Sequence, residues 1–261
     1  MAQIVLKVLD KDGNILCEKS GKDEVVMVYA GEYQEGDCFE LEVDEVNTFY
    51  YVQFDDVKGK SLVYLTGKVR YAIPFAEKAI NTSPRLFKGE KHLLCVSKMQ
   101  EEEKDNYRNL AENVWDQHGE VNCYPHASAN VETRGESVFA ALNAIDGVLA
   151  SESHGAWPYE SWGINRRDDA AWKLEFGRPV DVDKIAFYSR ADFPHDNWWV
   201  NATLTFSDGS KEVIDLVKTG EAQYFDIKKK GIEWIVLDEL IKADDPSPFP
   251  ALIQLKVYGR G

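Results

Sequence analysis

Apolar residues in this chain recur at every second position, in short runs closed by turn residues. That pattern limits it to a fold built from sheets. Val200, Ala202, Leu204 and Phe206 alternate with other residues and run into Ser207-Asp208-Gly209-Ser210. Trp172, Leu174 and Phe176 alternate in the same way, as do Phe39, Leu41 and Val43. A period of two puts every apolar side chain on one face of a strand. Asp12-Gly13 reads as the turn of a hairpin between runs 4–9 and 15–18. Further strands are expected at 25–29, 48–54, 61–66, 69–73 and 93–97, and again at 185–187, 212–216, 224–227, 234–237 and 252–258. Many short strands separated by turns indicate β-sandwiches.

One stretch breaks the pattern. Residues 100–117 are charged, lack Gly and Pro, and place Tyr107, Leu110, Ala111 and Val114 at helical spacing. The spacing predicts a helix that His118-Gly119 stops. The expected fold is therefore all-β, with two β-sandwich domains joined by a helix: 1–99, a linking helix at 100–119, and 120–261. Residues 137–145 read as a short helix or helical turn before Asp146-Gly147.

Charge narrows the partners. The formal net charge of −15 opposes phosphate backbones and anionic lipid surfaces, so neither nucleic acid nor a membrane is expected. The sequence has no run of about 18 apolar residues, the length a membrane-spanning helix needs. Residues 1–10 carry no signal-peptide pattern, which implies a cytoplasmic protein unless a leader has been removed. Cys17, Cys38, Cys95 and Cys123 are widely spaced, with neither zinc spacing nor disulfide density, and read as reduced thiols.

The chemistry concentrates around Ser189-Arg190-Ala191-Asp192 and the loop that follows it up to Trp199. Loops at the end of a rigid sandwich commonly carry binding groups. Arginine offers a fixed fork of donors, asparagine a donor and an acceptor, and tryptophan a flat apolar face. That set suits a sugar, with its hydroxyl edges and C–H face. If Val200, Ala202, Leu204 and Phe206 face the core, strand parity puts Trp198 in the core and Trp199 outside. Trp199 is then a stacking platform or an inter-domain contact.

From about residue 124 to 261 the chain resembles the discoidin, or coagulation-factor C-type, domain, which includes galactose-binding carbohydrate modules. The resemblance rests on Ala127-Ser128-Ala129, Asn143-Ala144-Ile145-Asp146-Gly147 and Trp172-Lys173-Leu174-Glu175-Phe176-Gly177. It continues through Arg190-Ala191-Asp192, Phe206-Ser207-Asp208-Gly209-Ser210 and Leu255-Lys256-Val257-Tyr258-Gly259. The resemblance implies a galactose-binding-like jelly roll with its ligand at loops on one end. Arg190 and Asn197 stand where relatives hydrogen-bond the sugar. His154 is the matching histidine, with Trp157, Tyr159 or Trp162 as a platform, and Phe249 as a late-loop aromatic. Asp192 and His195 complete the candidate set. Arg166 or Arg167 could join them to favour an acidic sugar, or form a solvated turn with Asp168 and Asp169.

No cofactor is required by this reading. The family often holds a structural calcium near the Asp-Gly turn, and Asp146 would be its side-chain ligand here. Val148 and Gln254 stand where further carboxylates are usual, and calcium prefers several anionic oxygens.

Carbohydrate binding without catalysis, by a mono- or oligosaccharide ligand, is the function this adds up to. A protein-interaction or scaffold module on the same fold is the runner-up. A glycoside hydrolase or lyase is a third reading, with Glu152 and Glu160 as its acids. No nucleophile elbow, zinc-protease motif or phosphate loop is present.

Overall fold

The computed structural model describes residues 1–150, 155–191 and 197–261. The first half holds β1 (Gln3–Leu9), β2 (Ile15–Lys22), β3 (Glu24–Tyr29), β4 (Cys38–Val43), β5 (Thr48–Gln53), β6 (Ser61–Leu65), β7 (Val69–Ala72) and β8 (His92–Lys98). Next come the short β9 (Arg108–Asn109), β10 (Cys123–Tyr124), β11 (His126–Ala129) and β12 (Trp162–Gly163). The chain ends with β13 (Trp172–Ser189), β14 (Trp199–Phe206), β15 (Lys211–Asp215), β16 (Gln223–Lys242) and β17 (Ala251–Arg260). Every pairing among them is antiparallel.

Two sheets, β2-β1-β4-β7 and β10-β6-β5-β8-β3, enclose the first core around Phe39, Tyr50, Phe54 and Val63. A third sheet, β12-β17-β13-β16-β14-β15 with β11 and β9 at its sides, encloses the second core around Trp162, Trp172, Phe187 and Trp199. The fold is all-β, as the alternation predicts.

Two long strands make the second sandwich. The β13–β16 register shifts between Glu175 and Val180, then again by Lys184. Gly177-Arg178-Pro179 lies at the first shift. Proline has no N–H for the ladder. Gly177 adopts a left-handed φ of 69°, and a β-carbon there would collide with the Tyr124 ring. The β13–β16 ladder is therefore interrupted there and resumes at Val180.

The expected linking helix is absent. Residues 100–119 form one 3-10 turn (Glu101–Glu103), the short β9, and loop. Asparagine side chains take over the backbone bonding. Asn109 Oδ1 accepts from Ala111 N at 3.2 Å and Val257 N at 3.0 Å, and Asn113 Oδ1 accepts from Trp115 N at 3.0 Å. The apolar spacing serves two cores rather than one helix face. Leu110 and Ala111 pack into the second core, and Trp115 packs into the first, 5.4 Å from Phe54. Residues 137–145 do form 3-10 turns, Ser137–Phe139 and Ala141–Ile145.

Cys38 and Cys123 are buried, Cys17 and Cys95 half-buried, and all four are free. Among the described residues no helix is long and apolar enough to cross a membrane.

Candidate functional site

One pole of the second sandwich gathers most of the predicted residues. The end of β13 and the start of β17 stay bonded there, with Arg190 N donating to Ala251 O at 3.0 Å. Trp162 pairs with Leu252 across the β12–β17 ladder. The Arg190 guanidinium lies over the Tyr159 ring, 3.1 Å from its centroid. A cation over an aromatic face is attracted by the ring's quadrupole. Arg190 is only 2 % exposed and Tyr159 is buried beneath it.

Burial corrects several of the sequence expectations. Trp199 is in the core, 6.2 Å from Trp162 and edge-on to Phe187 at 6.1 Å. Trp198, expected in the core, is half-buried with Lys218 Nζ 4.8 Å above its ring. The β14–β16 register shifts at Trp199/Asn201 and Asn201/Thr203, which reverses the parity inferred from the downstream alternation. Trp162 is fully buried as well, with Nε1 donating to Val131 O at 2.9 Å. Neither Trp162 nor Trp199 presents a face to a ligand.

Asn197 is also buried, and both ends of its amide are in use. Nδ2 donates to Ala243 O at 3.1 Å, and Oδ1 accepts from Trp198 N at 2.7 Å. It fastens the start of β14 to the exit of β16. His154, Asp192 and His195, with Glu152, lie outside the described residues.

Among the described residues, two aromatics at this pole remain exposed: Trp157 at 37 % and Phe249 at 40 %. Trp157 N donates to Ile80 O at 2.8 Å, so its loop leans on the first half of the chain. Arg166 sits 4.6 Å from the Phe249 ring centroid. Arg167 turns away into an exposed bidentate pair with Asp169.

Beneath the pole lies a network that the sequence flagged only in fragments. Gln254 Nε2 donates to Asn143 O at 2.5 Å and to Asp146 Oδ1 at 2.7 Å, while its Oε1 accepts from Gly147 N at 3.1 Å. Only this amide orientation satisfies all three partners. Glu160, expected as an acid near a substrate, is 3 % exposed and faces Asp146. Burial, then the Asp146 charge, pushes its carboxyl well above the usual range. Burial also raises Asp146, though less, because Lys58, the Val148 N–H, Glu160 and Gln254 favour its charged form. Glu160 is therefore the partner that keeps the proton.

These residues do not fit calcium. Calcium takes 6–8 oxygen ligands. Here one neutral NH2 group occupies the space between the Asn143 and Asp146 oxygens. Among the described residues no group of three or more His, Cys, Asp or Glu could hold a metal. Gln254→Glu is expected to lower the melting temperature by several degrees in EDTA and to regain it in millimolar calcium. The parent protein should melt identically with and without calcium; a calcium-dependent parent would contradict the assignment.

The family described as "Domain of unknown function (DUF7402)" matches residues 122–241. No curated protein matches the chain in sequence. Similar solved structures include the lectin domain of lectinolysin complexed with Lewis B antigen, at 18 % identity and TM-score 0.44, covering 59 % of this chain and 98 % of that one. A fucose-binding module from Streptococcus pneumoniae is 13 % identical with TM-score 0.41, covering 59 % and 99 %. The family 32 CBM of C. perfringens NanJ, in complex with galactose, is 18 % identical with TM-score 0.38, covering 51 % and 91 %.

Proposed function

We propose that the second sandwich is a discoidin-type module that binds carbohydrate reversibly and without catalysis at this pole. The observation that carries the reading is the pair of exposed rings, Trp157 and Phe249, set on loops around the buried Arg190–Tyr159 stack. An exposed ring offers its face to the C–H side of a sugar. Trp157 is anchored through its own backbone N–H, so its ring needs little ordering on binding. The Arg166 guanidinium beside Phe249 supplies donors for hydroxyl or carboxylate oxygens at the rim. Arg190 acts here as a positioning residue, bracing Tyr159 and the strand end beneath the rings.

The catalytic alternative has little support from Glu160. A carboxyl buried to this degree and holding its proton against Asp146 is out of reach of a glycosidic bond. A shallow, single-site pole should bind weakly, with Kd on the order of micromolar to millimolar.

A glycan array followed by tryptophan-fluorescence titration tests the reading. Trp157→Ala and Phe249→Ala should each weaken the best array ligand at least tenfold, with little change in melting temperature because both rings are exposed. An array without any bound glycan, or full affinity in both folded variants, would refute it.

A further inference from the structure

The second sandwich does not build its pole alone. Residues 76–82, between β7 and β8 of the first sandwich, form a 3-10 turn (Ala76–Ala79) and the bend after it. Three places on the second sandwich bond to this one segment. Trp157 N donates to Ile80 O at 2.8 Å, and Ser137 Oγ donates to Glu77 O at 2.8 Å. In the other direction, Asn81 Nδ2 donates to Asn143 Oδ1 at 2.9 Å.

The segment is held in shape for this docking. Thr82 closes it, with N and Oγ1 both donating to Ala79 O, at 3.0 Å and 2.7 Å. Ala76 opens it at a left-handed φ of 50°. A β-carbon makes that conformation costly, so the surrounding contacts must hold it there, and such strain gathers at working sites.

Asn143 makes the junction specific. It is fully buried, and its Nδ2 donates to Ser137 O at 2.8 Å and Ser161 O at 3.3 Å. Turning the amide over would set its oxygen against those carbonyls, so Oδ1 must face a donor, and Asn81 supplies it. Ser161 lies four positions after Trp157, so Asn143 ties the Trp157 loop to the first sandwich from beneath. At the surface, Ile80 is 41 % exposed beside the exposed Trp157, and the backbone bond holds the two side by side. The apolar surface of the pole thus continues across the seam onto the first sandwich.

We propose that the carbohydrate site is composite. Ile80 is a binding residue that forms one wall next to Trp157, and Asn81 is a positioning residue that fixes the Trp157 loop through Asn143. This rests on the carbohydrate reading of the pole and adds the first sandwich to the surface that the saccharide touches.

The probe is the free form of the glycan most retained on the array, titrated by calorimetry into the full chain. Ile80→Ser keeps the backbone carbonyl that Trp157 needs. It should weaken that glycan about fivefold or more with an unchanged melting temperature, while Ile80→Val stays within roughly twofold. Asn81→Asp sets a carboxylate against Asn143 Oδ1. It should speed hydrogen exchange at the Trp157 amide, read without any glycan, and weaken the same glycan about fivefold. Asn81→Ala removes only the donor and covers a failure of Asn81→Asp to fold. If Trp157→Ala weakens the glycan but Ile80→Ser binds it at full strength, the composite site is wrong and the reading of the pole stands. An array with no bound glycan overturns both. Unchanged exchange at Trp157 in the folded Asn81 variants overturns the positioning role.

Discussion

Trp199→Ala should cost about 3–5 kcal/mol of stability, the range for deleting a large buried aromatic side chain. The indole is fully buried and packs on Trp162 and Phe187. No partner group competes for Nε1, which has no hydrogen bond among the described residues. Trp199→Phe should therefore be much milder, since most of the ring contact returns and no hydrogen bond is lost. Urea unfolding of both variants measures the difference. The outcome separates a packing residue from a binding platform, because a platform could be truncated without loss of stability. A Trp199→Ala protein as stable as its parent would show that the ring is not core.

Glu160→Gln should stabilise the protein increasingly as pH rises. In the folded state Glu160 holds its proton well above the ordinary carboxyl range, whereas the unfolded chain releases it near 4.5. Between those limits the folded state binds one more proton than the unfolded state, so stability falls as pH climbs. The slope approaches about 1.4 kcal/mol per pH unit for one group. Glutamine has nearly the same size and carries no charge, so the variant's profile should be flatter. Chemical denaturation at pH 5, 6.5 and 8 reads this directly. The variant should gain little at pH 5 and most at pH 8; parallel profiles would mean that Glu160 is already ionised in the native protein. The same variant should leave glycan binding intact, because the carboxyl lies beneath the pole.

The strands were legible because a half-buried strand writes its period into the sequence. Trp172, Leu174 and Phe176 all face the second core, as their alternation predicts. Parity failed at Trp198 and Trp199 because it assumes an unbroken ladder, and register shifts fall immediately after Trp199. The segment at 100–117 misled for a different reason. Leu110 and Ala111 reach the second core, Val114 packs on the first and Tyr107 is exposed, so the helical interval is shared by residues with three different destinations. Of the pole, the sequence located the loops but could not rank exposure: Arg190, Asn197 and Trp162 are polar or amphipathic enough to read as surface groups.

The length of β13 and β16 has a consequence for how the second sandwich comes apart. The two strands are 18 and 20 residues long and pair with each other from Trp172–Leu237 to Phe187–Gln223, so one ladder runs the length of the sandwich. Separating either strand would break that whole ladder together with the β17 and β14 ladders beside it. Partial opening is confined to the short outer strands, and the rest of the sandwich must yield as a unit. The loops at the pole are thus mounted on a platform that is either wholly assembled or gone.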